Sequence, residues 1–392
     1  MEHEMTEDHP YEAAVAAGDA GMDPGAVQKL AERFLHQYEQ GMFPGGQLVV
    51  RRNGKVVIKQ PCGLARGWQG RGGAVPVKVR DDTPFPVYST GKPMAAIVLA
   101  LLEARGVLDA GATVASVLPE FGGMGRDEIT ILDVLTHRGG IIVPDLIKNH
   151  KINGDRDAAW HKLLQTPPRY PRGTFAYMPT EYGTILDQLV TRLTGQTIAQ
   201  QFRNELALPL GLHNIHYGLG SSRLDELAWS YWLGKDRYVV ADMDVADRFE
   251  EKNNDPAVFS AGNPAFGMVA DAASLAALYE FLVNGGRAGD RQLIPGQLVQ
   301  RCVTRQVSGW NKSLKTYASV GRGFLLGTRT PSLYGWWGTS GCFGHPGMFS
   351  SLAYGDHDTG LAVAIVTNGN KGMGDMFSRF IKITHGLRMA CR

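Results

Sequence analysis

Strand-type segments crowd both ends of this chain, while its middle reads as helix. Gln47-Leu48-Val49-Val50-Arg51-Arg52 and Lys55-Val56-Val57-Ile58 are separated only by Asn53-Gly54. Asn-Gly between two β-rich runs is the signature of a tight hairpin turn, so the sheet starts antiparallel. Apolar or alternating runs between turn residues return at 323–327, 344–354 and 360–368. A chain ordered in this way predicts an α+β fold: one antiparallel sheet built from both chain ends, flanked by helices, with a mainly helical region inserted between them. The expected division is a mobile tail over 1–22, a discontinuous sheet domain over 23–100 and 200–392, and a helical domain over 101–199.

Helical signals fill the frame. Asp23-Pro24 marks a helix start, with apolar residues at helical spacing from Val27 to Tyr38. The segments 94–103, 128–140, 186–193, 271–284 and 377–387 are the other helices, and 141–170 is loop and helix with little chemistry. The 392 residues, 44% hydrophobic and 20% charged, suit a large globular core. Forty basic residues against 38 acidic leave a net charge of +2, with no basic stripe for nucleic acid. No run is long and apolar enough to span a bilayer. Cys62, Cys302, Cys342 and Cys391 are dispersed, as free thiols in a reducing compartment would be, so a cytoplasmic setting is expected.

The chemistry-bearing stretch is Ser89-Thr90-Gly91-Lys92-Pro93, which opens the apolar helical segment. A serine at a helix start sits in a positive backbone field. Three residues on, Lys92 projects from the same face, and an adjacent desolvated lysine is one way to draw off a serine proton. This is the chain's only Ser-x-x-Lys. The alternative is plainer: Ser89 as a helix cap and Lys92 as a solvated side chain. His137 closes a helix before Gly139-Gly140 and is read as structural. His213 and His216 share a ligand-like spacing without a neighbouring carboxylate, so no metal is expected.

The order of these pieces resembles the serine β-lactamase-like superfamily (class C β-lactamases, DD-peptidases and above all family VIII carboxylesterases) over residues 25–385. Phe43-Pro44-Gly45-Gly46 and its hairpin, Ser89-x-x-Lys92, Tyr177 followed by Tyr182-Gly183, and His345-Pro346-Gly347 carry the likeness. It implies that Ser89 attacks an acyl carbonyl, that Tyr177 and Lys92 manage its proton, and that the Ser89 and Met348 backbone N–H groups hold the oxyanion. Gly347 would let the substrate lie close to the strand, and His345 would donate toward Tyr177 or the substrate.

Where relatives carry the asparagine of Tyr-x-Asn, this chain has Pro179, which lacks a side-chain donor and should favour esters over amides. A lysine cation about 4 Å from Tyr177 favours its phenolate by at most ~4 kcal/mol at an effective dielectric near 20, before desolvation subtracts. Phenolate with charged Lys92, or phenol with neutral Lys92, both remain open. The aromatics from Trp229 to Phe249, with Trp336 and Trp337, are candidates for an acyl pocket or for ordinary core.

The expected function is a serine carboxylesterase with weak β-lactam hydrolysis, acting on a small-molecule ester or acyl substrate without a cofactor. An acyltransferase and a catalytically silent binding protein are the alternatives. The sequence leaves oligomeric state open.

Overall fold

A computed structural model describes residues 13–73, 75–240 and 243–391. Strands β1 (Gly45–Arg52), β2 (Lys55–Arg66) and β3 (Val77–Lys78) come from the first part of the chain. The second part supplies β4 (Val307–Asn311), β5 (Thr316–Val320), β6 (Leu325–Leu326), β7 (Cys342–Gly347), β8 (Ser351–Asp356) and β9 (Leu361–Thr367). They form one sheet in the order β4-β5-β6-β7-β8-β9-β1-β2-β3, antiparallel at each pairing. The chain's two ends meet at its centre, where Val49 opposes Ala364. Asn53 and Gly54 turn the first hairpin with φ of 53° and 78°, the left-handed geometry that Asn-Gly suits.

Both faces of this sheet are covered, which explains why Leu361–Val366 is apolar without interruption. Leu48, Val50, Val363 and Ile365 face α2 (Pro24–Glu39) and the closing helix, while Val49, Ala364 and Val366 face the opposite layer. Period-2 alternation thus divides one apolar strand between two cores. Truncating a side chain such as Ile365 to Ala costs roughly 2–5 kcal/mol in such packing.

Helix α1 (Ala13–Asp19) corrects the tail assigned to 1–22. Ala17, Ala20 and Met22 are buried against α2 and the sheet, the Asp23 N–H donates to the Ala390 carbonyl at 2.8 Å, and Met22 bridges Cys391. Small alanines pack by close approach rather than by large apolar area, so they left no strong pattern. Residues 1–12 of that assignment lie outside the described residues. Asp23 caps α2 through the Ala26 N–H, with Pro24 in the first turn.

On the other face, α3 (Lys92–Ala104) is buried along nearly its whole length. With it pack α4 (Glu181–Thr194) and α5 (Ala272–Val283). α5 is capped by Asp271, whose carboxylate accepts from the Ser274 N–H at 2.6 Å. The chain closes with α6 (Met373–Ala390). No helix among the described residues is long and apolar enough to cross a membrane. The segment expected as a helix over 128–140 narrows to Ile131–Leu135, held by a Thr130–Asp133 capping box.

Candidate active site

Ser89 lies in a single 3-10 turn, Tyr88–Gly91, that runs directly into α3. The turn packs against the end of β7, and the fit is tight. A Cβ on Gly347 would lie 2.1 Å from the Val87 carbonyl oxygen and 2.5 Å from Ser351 Oγ. Glycine is therefore required there by the approach of strand to turn, a closer constraint than room for substrate. The Ser351 hydroxyl sits 2.9 Å from both the Val87 carbonyl and Thr90 Oγ1. Tyr88, just before the serine, has a φ of 49°, a conformation that costs on the order of 1–3 kcal/mol and persists where surroundings enforce it. Its hydroxyl meets Ser230 Oγ at 2.6 Å.

Lys92 is the first residue of α3 and is fully buried. Its Nζ lies 2.8 Å from the Pro179 carbonyl, 2.7 Å from the Ala265 carbonyl and 3.2 Å from Ser89 Oγ. From across the cleft, the Tyr177 hydroxyl reaches Ser89 Oγ at 2.8 Å. Serine, lysine and tyrosine, separated by up to 88 residues in sequence, thus converge on one oxygen. Pro179 has no amide side chain, yet its carbonyl takes one of the lysine's hydrogen bonds.

Burial controls the charges. It pushes the Lys92 amine well below its ordinary range, opposed by the charge of buried Glu181. Burial also raises Tyr177, and the Ser89 hydrogen bond that favours its phenolate pulls the other way without prevailing. Desolvation thus outweighs the Coulombic attraction that would have paired phenolate with ammonium. A neutral amine has two N–H donors and one lone pair. Two carbonyl acceptors and one serine hydroxyl match that set, as they also match the three donors of an ammonium.

Glu181 gave no signal beyond an acid in a first helical turn. In the fold it is buried, accepts from the Val143 N–H at 2.6 Å and the Thr180 N–H at 3.2 Å, and its own carboxyl is raised by burial.

Two histidines frame the tyrosine. His137 Nδ1 accepts from the Met178 N–H at 3.2 Å, which leaves the proton on Nε2, and the ring packs 4.6 Å from that of Tyr177. It supports the phenol and does not touch Ser89. His345, on β7, also stacks on Tyr177, with ring centroids 5.9 Å apart. Its Nδ1 lies 2.6 Å from the Pro346 carbonyl and donates to it, so Nε2 is an acceptor and not the donor expected from sequence. Burial, with Lys92 second, pushes His345 down to about 3.

Past Gly347 the strand ends in two consecutive left-handed residues, Met348 (φ 33°) and Phe349 (φ 64°). Arg379 of α6, itself buried, donates from Nη2 to the Phe349 carbonyl at 2.9 Å. Ser89, Tyr177, His345 and Met348 all line one cavity of about 600 Å³. Its apolar lining is Phe175, Phe266, Phe324, Phe349 and the methionines. Trp229, Tyr231, Trp232, Tyr238, Phe249, Trp336 and Trp337 do not line it, which corrects the pocket expected from those aromatics: Trp336 and Trp337 are exposed and pack on Phe377 and His385 of α6. Ile142, Ile147 and His150 do line it, so 141–170 holds more of the site than its sequence suggested. His213 and His216 lie outside it, and His216 Nε2 contacts Arg223 at 3.2 Å.

A family model, Beta-lactamase, matches residues 27–387, and the chain belongs to that family. It is 28% identical over 366 residues to the esterase/beta-lactamase LipL of Mycobacterium tuberculosis, covering 86% of this chain and 79% of that protein. A penicillin-binding protein homologue from Caulobacter crescentus superposes with a TM-score of 0.79 at 26% identity, over 94% of this chain and 99% of that one. A family VIII carboxylesterase superposes with a TM-score of 0.77 at 24% identity, over 92% and 96%. The fold is β-lactamase/transpeptidase-like, and the family is one of serine hydrolases.

Proposed function

We propose that this protein is a serine carboxylesterase working through an acyl-enzyme on Ser89. The observation that carries the reading is Lys92: a fully buried amine, bonded to carbonyls and to no carboxylate, within reach of Ser89 Oγ. A lysine kept neutral by burial is a base, whereas a charged one in the same place would only hold the serine oxygen.

In this reading Ser89 gives its proton to Lys92 as Oγ bonds to the ester carbonyl carbon. The carbonyl oxygen becomes an oxyanion, held by the Ser89 and Met348 N–H groups at the turn and the strand end. Such a donor is worth about 3 kcal/mol of barrier. Tyr177, whose hydroxyl already donates to Ser89 Oγ, passes a proton to the departing alcohol and is refilled from Lys92. Water then attacks the acyl-enzyme by the reverse relay. LipL is named an esterase and a β-lactamase, which suits an acyl-serine route. The apolar cavity and the missing donor at Pro179 favour an ester over a side-chain amide.

The test is turnover of p-nitrophenyl butyrate by the wild type, its loss in Ser89→Ala, and a fluorophosphonate adduct on Ser89. No turnover and no adduct would leave a silent binding scaffold instead. Faster p-nitrophenol release on adding methanol, with methyl ester as product, would identify an acyltransferase.

A further inference from the structure

Beside Tyr177 the cavity wall carries an amide that the acyl chemistry leaves unused. Asn311, at the end of β4, is only 2% exposed. Its Oδ1 accepts from the backbone N–H groups of Tyr177 at 3.2 Å and Leu314 at 3.1 Å. The Ser313 hydroxyl lies 3.0 Å from both Asn311 Oδ1 and the Tyr177 carbonyl, and donates to one at a time. Backbone N–H groups can only donate, so the atom they meet is the oxygen and the amide orientation is fixed. The NH₂ group must then point the other way.

Asn311 Nδ2 has no hydrogen-bond partner among the described residues, nor does it belong with the sealed, unpaired atoms such as Asn370 Oδ1. Asn311 lines the cavity, so this amide opens onto it. Beside Asn311 the wall is apolar, with Phe175, Leu314, Ala318 and Val320 also on it, and two N–H donors there have a cost when a substrate covers them without pairing them. A wall of that kind selects for a substrate that pairs them.

We infer that Asn311 Nδ2 is a recognition donor for a second carbonyl oxygen on the substrate, a few bonds from the ester that Ser89 attacks. This rests on the esterase reading above. The placement follows from the tyrosine: Asn311 Oδ1 holds its backbone N–H at 3.2 Å while its hydroxyl meets Ser89 Oγ at 2.8 Å, so one tyrosine and its two hydrogen bonds link the amide to the nucleophile. The class is an oxo- or amide-bearing ester, in place of a plain alkyl ester. The donor and Pro179, the position without an amide of its own, line the same cavity.

The test compares matched pairs in the wild type and in Asn311→Asp, which keeps the three Oδ1 contacts and replaces the NH₂ by an oxygen. On the acyl side the pair is p-nitrophenyl 5-oxohexanoate and p-nitrophenyl hexanoate. On the alcohol side it is acetonyl butyrate and isobutyl butyrate. The readout is the ratio of kcat/KM within a pair, so slowing common to both members, or intrinsic activation of one, cancels. The ratio in one pair should fall about tenfold in Asn311→Asp, the scale of one buried hydrogen bond, and that pair identifies which side carries the oxygen. Unchanged ratios in both pairs overturn the inference while leaving the esterase reading intact. If the wild type turns over neither pair, the esterase reading has failed, and calorimetry with 5-oxohexanamide and hexanamide decides the inference separately. Tighter binding of the oxo compound, lost in Asn311→Asp, supports it; equal binding overturns it.

Discussion

Two basic side chains, Lys92 and Arg379, are fully buried, and they are held in opposite ways. Arg379 has a carboxylate, Asp375 Oδ2 at 2.6 Å from its Nε, and spends its other donors on the Phe349 carbonyl at 2.9 Å and Thr367 Oγ1 at 3.3 Å. Lys92 has no carboxylate within bonding distance and rests on two backbone carbonyls and Ser89. Burial lowers both, but a guanidinium does not give up its proton in a protein and an ammonium does. On the proposed mechanism, one cation is architecture and the other is chemistry. A buried lysine denied its counter-ion is a proton acceptor in waiting.

The comparison breaks most visibly at Lys92 itself. Lys92→Met should lower kcat/KM for p-nitrophenyl esters by on the order of 10⁴-fold, comparable to Ser89→Ala, because residues acting as a unit fail together. Its melting temperature should move only slightly, since the desolvation cost that is removed offsets the Pro179 and Ala265 carbonyls left unpaired. A large drop in melting temperature would place Lys92 with Arg379 and end the contrast.

Tyr177→Phe removes one proton-transfer partner and keeps the ring beside His137 and His345. A fall in kcat of about 10²-fold with KM nearly unchanged is expected. Loss through KM alone would make the phenol a binding group.

Arg379→Met is the reverse experiment to Lys92→Met. It leaves Asp375 without its partner and frees the Phe349 carbonyl, and should cost about 3 kcal/mol by denaturant titration. Activity per folded molecule should fall less than in Tyr177→Phe.

The smallest effect is the shape of the pH profile, which sharpens the contrast. Lys92 is lowered and Tyr177 raised. The active form, amine and phenol both neutral, therefore fills in as pH rises through the depressed lysine value. It is kept until pH exceeds the ordinary tyrosine range. The profile of kcat/KM should climb and then stay flat past pH 9. A descending limb as Lys92 loses its proton would assign the base to a phenolate instead.

Much of this corner was legible in the sequence because it depends on short-range covalent spacing. Ser89 and Lys92 share a helical turn, and Asn53-Gly54 fixes a hairpin whatever surrounds it. Strands at both ends predicted one sheet because a lone hairpin cannot bury its apolar faces. What escaped depended on which distant segments meet. Glu181 and Asn311 are ordinary polar residues until burial removes their water. The cavity's phenylalanines are scattered over 175 positions of sequence, whereas the tryptophans that drew attention are clustered along the chain and face elsewhere. Ala13–Asp19 was missed because alanine leaves no amphipathic contrast to detect.

The cavity has one wall of long elements, the sheet and the start of α6, and another of short pieces such as His150–Asn153 and Phe249–Asn253. Among the described residues, neither of these two pieces hydrogen-bonds to Ser89 Oγ, Lys92 Nζ or the Tyr177 hydroxyl. On the proposed mechanism, a lineage or an engineer can recast what the protein accepts by drift in those pieces, with Ser89, Lys92 and Tyr177 inherited intact. Substrate range and reaction type become separately heritable traits of one chain.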